Sequence, residues 1–427
     1  MKSTINLCFV LFFAMIALST LASENESIVV KPLNYGSELS FHSQVLNEQQ
    51  VFDLYLPEGY DKDADFIKYP VIYTLDGWAL SQSVSGIVSH LGKTAGMPKA
   101  IVVAIKTSKM KYGPKIYASK SGGQNAADTR LEGFSGGYAD DYLKFMKEEL
   151  IPFIDNKYRT NDFRIIIGMS PTAAFALHTF WKAPELFDAH FLFAATDVIG
   201  MGYTPQTTFI DKIIESLENN PNRKGYLYIA SAENEAKRRP KRVDNVNELK
   251  HRLKPFTSKN FKAKIEHIAN YWHYPMALPG LLAAIEMVFP ANEWTKYREL
   301  AKQEGKVLKN IEEHFARLSN QVGFTIYPNA NLNRNINCFR AFGYRLLGQG
   351  KVSDAIDLFR RWTEYQPKEA NAFDSLADAL EKSGKLEQAI EARKQAVYVA
   401  ELTQDGYLNI YRKNLNQTLT KHRDSKA

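Results

Sequence analysis

Apolar and polar positions divide this chain into two patterns. Residues 69–75 (YPVIYTL), 100–105 (AIVVAI), 163–167 (FRIII) and 225–230 (GYLYIA) are continuous apolar runs rich in β-branched side chains. Runs of that length without polar alternation fit central strands of a parallel sheet, which are buried on both faces. Residues 38–55 (ELSFHSQVLNEQQVFDLY) alternate in part and predict a pair of strands. Helical spacing marks residues 140–155, 173–183, 245–253 and 278–288. Strand and helix taken in turn predict an α/β fold with a doubly wound sheet, ending near Pro290.

Beyond Pro290 the pattern is helical only. Residues 350–356 read GKVSDAI and residues 384–390 read GKLEQAI, so Ala355 and Ala389 stand 389 − 355 = 34 positions apart. That is the period of a tetratricopeptide repeat, and Pro367 falls where such units usually close. Two helical hairpins bury little by themselves, so they are expected to pack on helices between Trp294 and Ser319 and on the sheet domain. The predicted division is a leader at 1–22, an α/β domain at 23–290, a helical connector at 291–335 and an all-α repeat tail at 336–420.

The first segment departs from the rest in composition. Lys2 precedes an apolar run from Ile5 to Leu18, and Ala17, Ser19, Ala22 and Ser23 supply small residues after it. A basic start, a short apolar core and small residues near a cleavage point describe a secretory signal peptide, with an uncleaved anchor as the alternative. Export to the periplasm or out of the cell follows, with no membrane-spanning segment after cleavage. Only Cys8 and Cys338 occur, so the chain after the leader has one thiol and no internal disulfide. Cysteine and histidine do not cluster at metal-ligand spacing, and no metal or cofactor is implied. The net charge of +7 comes without a basic helix or an aromatic–basic array, which argues against nucleic acid.

The chemistry-bearing segment is Gly168-Met169-Ser170-Pro171-Thr172, directly after a predicted strand and before a predicted helix. Strand, sharp turn, serine and helix make the setting of a nucleophile elbow. The order expected with that elbow is serine, acid, histidine. Glu233 and Glu235 follow the run at 225–230, and His273 lies in Tyr271-Trp272-His273-Tyr274-Pro275 after a strand expected at 265–269. Ser170, Glu235 and His273 satisfy the order, with Glu233 as the alternative acid. His267 falls inside the last strand, and His178 two turns along the elbow helix.

With these residues in view, the chain resembles the esterase family that includes the enterochelin-type siderophore esterases and, more distantly, the mycolyl transferases. The similar segments are residues 51–60 (VFDLYLPEGY), 73–77 (YTLDG), 136–160 (GGYADDYLKFMKEELIPFIDNKYRT) and 184–189 (PELFDA). Residues 371–376 (NAFDSL) and the two GK-containing units are similar to family members that carry tetratricopeptide repeats. The resemblance implies that Ser170 is the nucleophile, His273 the base and Glu235 the acid. It also implies that Asp76-Gly77-Trp78 supplies an oxyanion-hole amide, with Met169, Pro171 and Trp272 around the pocket.

The elbow departs from the family pattern, close to G-H-S-x-G-G, by reading G-M-S-P-T-A. The amide after the nucleophile normally points at the oxyanion. Pro171 has none. Losing one such donor typically costs about 100- to 1,000-fold in turnover. Thr172 stands where a glycine lets helix and strand approach. Two readings therefore remain: a serine esterase acting on a small-molecule ester, or an inactive hydrolase fold that binds a ligand in the pocket and a partner through the repeats. Cations at Lys106, Lys109, Lys111, Lys115, Lys120 and at Lys237, Arg238, Arg239, Lys241 and Arg242 follow two strands on the ligand-binding edge, where they would attract an anionic substrate or simply face solvent.

Overall fold

A computed structural model describes residues 35–106, 137–203, 207–238, 240–258, 260–332 and 335–426. The expected leader, the lysines at 109, 111, 115 and 120, and Arg239 lie outside these residues. An eight-stranded sheet runs in the order β1-β2-β4-β3-β5-β6-β7-β8. β1 (Ser37–Ser43) and β2 (Glu48–Tyr55) form the expected antiparallel pair, and β2 lies antiparallel to β4 (Ile101–Ile105). The remaining pairings are parallel: β3 (Tyr69–Thr74), β4, β5 (Thr160–Met169), β6 (Ala189–Phe193), β7 (Gly225–Ala232) and β8 (Phe261–Ile268). β3, β4, β6 and β7 are buried along their whole length, as unbroken apolar runs require.

The helices of this domain are α1 (Gly77–Lys93), α2 (Ala139–Phe145), α3 (Ile151–Lys157), α4 (Pro171–Lys182), α5 (Phe209–Glu218), α6 (Glu233–Arg238), α7 (Pro240–Leu253) and α8 (Ala277–Val288). The chain passes from β3 to β4 on one side and returns to β5 on the other, so the strand order reverses at β3. Ligands of open α/β sheets bind outside the carboxyl ends of the strands at such a reversal. Here that place belongs to the β3–α1 and β5–α4 turns.

After single turns at Ala291–Trp294 and Tyr297–Leu300, the helical region comprises α9 (Val307–Val322), α10 (Phe339–Gly348), α11 (Val352–Tyr365), α12 (Ala370–Lys382), α13 (Leu386–Leu402) and α14 (Leu408–Asp424). Two pairs of positions 34 residues apart have like settings in this region. Gly350 and Gly384 turn their hairpins with φ of 79° and 77°, a left-handed conformation that glycine adopts freely. Ala355 and Ala389 occupy matching buried positions one repeat apart.

This region seals the amino-terminal edge of the sheet. Asp63, in the β2–β3 connection, accepts hydrogen bonds from Tyr69 Oη at 2.5 Å, Lys99 Nζ at 3.0 Å and Gln366 Nε2 at 2.7 Å. The Ala64 amide donates to the Tyr365 carbonyl at 2.8 Å, and Lys62 pairs with Glu369 at 2.7 Å. Phe324, in the extended stretch before α10, packs its ring 4.9 Å from that of Phe163 near the start of β5. One apolar core runs from the sheet through α9, α10 and α11. A cavity of about 60 Å³ remains in the seam between Tyr69, Lys99, Tyr327 and Tyr365, on the edge away from Ser170.

Candidate active site

The elbow is built by sterics first. A Cβ on Gly168 would lie 2.8–2.9 Å from the Thr172 carbonyl and the Ala173 backbone, so only glycine lets β5 turn so sharply into α4. Ser170 sits at the apex with φ 54° and ψ −112°, a left-handed conformation costing on the order of 1–3 kcal/mol for a residue with a side chain. Its amide donates to the Phe193 carbonyl at the end of β6, at 2.8 Å, which helps hold the apex in place. Pro171 opens α4, where its fixed φ suits the first helical position.

Thr172 has a partner that sequence reasoning missed. Its hydroxyl donates to Asp76, which follows β3, and accepts the Met169 amide at 2.8 Å. The same Asp76 oxygen accepts the Met169 amide at 3.0 Å. Met169 is itself buried, and its amide is thereby used up. The residue standing in place of the expected glycine therefore ties the elbow to the neighbouring strand. Burial pushes the Asp76 carboxyl up to about 6, the bonds from Thr172 and Met169 pulling it partly back.

The residues expected as acid and base lie on two further turns. β7 ends where α6 begins, and Glu235 lies in the first turn of α6. His273 follows β8, with Nδ1 at 3.1 and 3.2 Å from the two Glu235 carboxylate oxygens. Glu235 in turn accepts a hydrogen bond from Arg242 of α7 at 2.8 Å, and Arg242, nearly buried, also pairs with Asp197. Glu233 is placed differently. It pairs with Lys237 at 3.2 Å and accepts the Asn270 amide at 3.3 Å, so it shapes the loop before His273 and does not touch the imidazole.

The second turn at the strand reversal starts α1. A Cβ on Gly77 would come within 2.8 Å of the Ile105 carbonyl group, which makes glycine obligatory where α1 leaves β3 against β4. Among the described residues, the amides of Gly77, Trp78 and Thr172 have no hydrogen-bond acceptor, and neither Ser170 Oγ nor His273 Nε2 has a partner. Free amides at helix starts present positive potential to an anion. Trp78 and Tyr274 stand exposed at the rim with their rings 6.5 Å apart, and Trp272 lies beneath the Arg238 guanidinium at 4.6 Å.

Among the described residues, three of the cations expected at this mouth are paired. Lys106 binds Glu38 and Asp53 at 2.6 and 2.8 Å, Lys237 binds Glu233, and Arg242 is held by Asp197 and Glu235. His178 is buried in α4, bound to Tyr203 and Asp140, and lies in a separate polar cluster. His267 lies within β8, as its sequence position indicated. Among the described residues no histidine, cysteine and carboxylate cluster is arranged to hold a metal, and no helix is long and apolar enough to cross a membrane.

Residues 43–199 match the family described as "Putative esterase". That segment contains Gly77, Trp78 and Ser170 but not Glu235 or His273, whose association rests on the geometry above. Among solved structures, an IroE-like serine hydrolase from Shewanella oneidensis is 19% identical with a TM-score of 0.59, over 76% of this chain and 97% of that one. An uncharacterised protein from Capnocytophaga ochracea is 16% identical with a TM-score of 0.52, over 90% of this chain and 99% of its own. The second likeness is long enough to take in the helical region. Both establish the fold of the α/β-hydrolase-like sheet, which an all-helical region follows. No curated protein matches the sequence.

Proposed function

We propose, from the esterase-family match over residues 43–199, that this chain is an exported serine hydrolase of small carboxylic esters. The observation that carries the reading is Ser170, held in a left-handed turn on the same sheet edge as the His273–Glu235 pair. Ser170 Oγ bonds to the ester carbonyl carbon while His273 takes the hydroxyl proton. The tetrahedral adduct then expels the alcohol, which His273 protonates, leaving an acyl-serine. Water repeats the sequence, releases the acid and returns Ser170. Glu235 orients the imidazole and stabilises its charged form. Transfer of the acyl group to another alcohol instead of water uses the same residues.

The oxyanion falls to amides other than that of position 171. Trp78 or Gly77 from α1 and Thr172 from α4 are the free donors nearest in the chain to the two turns. The leader-like residues 1–22 support export to the periplasm or beyond, and the 34-residue hairpin repeat supports a tetratricopeptide-type scaffold for a protein partner. Pro171 favours a second reading, a pocket kept for binding after catalysis has faded.

A fluorophosphonate probe separates the two. The parent is expected to label, Ser170→Ala to lose the label, and Pro171→Gly to label up to about 100-fold faster through its regained amide. A parent that stays unlabelled while Pro171→Gly labels would establish the second reading. If neither labels, the serine is not an activated nucleophile.

A further inference from the structure

The helix that follows His273 is apolar on its outside as well as its inside. α8 (ALPGLLAAIEMV) has Glu286 as its one charged residue. Ala277, Gly280, Leu281, Ala284, Ile285 and Val288 face the core, as a helix lying on a sheet requires. The opposite face ought to be polar. It instead presents Leu278 at 42% and Leu282 at 47% exposure, one helical turn apart and on the same side. Tyr274, 58% exposed, precedes this stripe by one turn, and Trp78, 68% exposed, meets the Tyr274 ring edge-on. The Tyr274 ring centroid is 5.0 Å from that of His273. An apolar strip thus begins against the imidazole and leads away along α8.

We infer that this strip binds the saturated acyl or alkyl arm of the ester, so that the substrate is an amphiphile with a chain of medium length. The chemistry at its head rests on the esterase reading above. Leu282 lies eight positions after Tyr274, and the turn that leads into α8 together with its first six residues spans roughly 12 Å at about the helical rise, long enough for a chain of about ten carbons. Beyond it Glu286 ends the apolar face. An aromatic acyl group would be served by Trp78 and Tyr274 alone and gives no use for two outward leucines. A protein partner or a second copy needs roughly 20–30 residues a side, far more than this strip offers. On the other flank of His273 the Arg238 guanidinium lies over Trp272 and offers a cation to the head of such a molecule.

The test uses p-nitrophenyl esters from acetate to dodecanoate, with the parent and a Leu278→Ser/Leu282→Ser double variant. Full burial of a methylene is worth about fourfold, so a half-open strip is expected to raise kcat/KM about twofold per methylene up to roughly ten carbons. In the double variant the decanoate-to-acetate ratio falls at least about tenfold, through KM. A flat chain-length profile in the parent overturns the inference. Binding of decanoate to Ser170→Ala, followed by tryptophan fluorescence, tests the strip without catalysis. Saturable binding that Leu278→Ser/Leu282→Ser abolishes, in a protein that cleaves no ester, keeps the strip and removes the esterase reading. Ester cleavage without chain preference or decanoate binding does the reverse. A parent dimer that Leu278→Ser/Leu282→Ser dissociates, with chain preference unchanged, assigns the face to a second copy and overturns the proposal.

Discussion

At the amino-terminal edge of the sheet a single carboxylate, Asp63, accepts from Tyr69, Lys99 and Gln366. At the carboxyl-terminal edge the amides of Gly77, Trp78 and Thr172 and the hydroxyl of Ser170 have no partner among the described residues. The first edge is closed by Phe163, Phe324, Tyr327 and Tyr365, while at the second, among the described residues, Trp78 and Tyr274 stand exposed. Both belong to one sheet with one apolar core, so the stability gained at one edge is available to hold strain and unmet donors at the other. A left-handed serine and free amides persist only where surrounding structure over-determines them. The helical region, in this view, serves the site from the far side without touching it.

The sharpest way to test the open edge is at the acid. Glu235→Gln keeps the shape beside His273 and Arg242 but removes the charge that orients and stabilises the imidazole. Its loss is expected to slow fluorophosphonate labelling and ester turnover by about 100- to 10,000-fold, with little change in melting temperature. Glu233→Gln, which loosens only the Asn270 loop and Lys237, is expected to change either rate less than about tenfold. Equal losses from both substitutions would mean that the loop, not the carboxylate–imidazole pair, limits the chemistry.

The closed edge is tested at Trp362, fully buried in α11 with Nε1 donating to Gln366 Oε1 at 2.7 Å. Gln366 passes that order on to Asp63. Trp362→Ala leaves a large cavity and is expected to cost about 3–5 kcal/mol, read from the urea midpoint of the full chain. Labelling of Ser170 in the protein that remains folded is expected to change less than about threefold. A labelling rate that fell in step with stability would show the two edges to be mechanically joined.

The two edges were unequally legible in the sequence. β3, β4, β5 and β7 read plainly because strands buried on both faces leave continuous apolar runs. β6 (AHFLF) and α5 went unassigned, β6 because it is five residues long with a polar His190 inside it. β8 starts four residues earlier than its apolar stretch suggested, since Lys262 and Lys264 alternate outwards as a sheet edge permits. At the site, chain order alone pointed to Ser170 and His273. It left Glu233 and Glu235 open, because both follow β7 within three residues and only the closure of the His273 loop selects between them. Asp76 and Thr172 are 96 positions apart, so no local pattern announced their bond. Arg242, read as one of a run of surface cations, is nearly buried between Asp197 and Glu235.

The smallest effect concerns what the open edge costs. Asp76 holds the elbow through Thr172 and Met169, yet its carboxylate is buried, and burial raises its folded value to about 6 from 3.8 in the unfolded chain. Between about pH 4 and pH 6 the native protein therefore keeps a proton that the unfolded chain has released. Stability falls as pH rises through that window, by up to about 3 kcal/mol at about 1.4 kcal/mol per unit. Asp76→Asn retains an acceptor for the Met169 amide and the Thr172 hydroxyl but does not titrate. Urea midpoints of parent and variant, taken from pH 4 to pH 8, are expected to diverge in the variant's favour as pH rises to 6 and to run parallel above it. Every other titrating group is common to both proteins and cancels in the difference. Parallel curves throughout would mean that Asp76 bears no burial cost, and the elbow would then be held by the two hydrogen bonds without penalty.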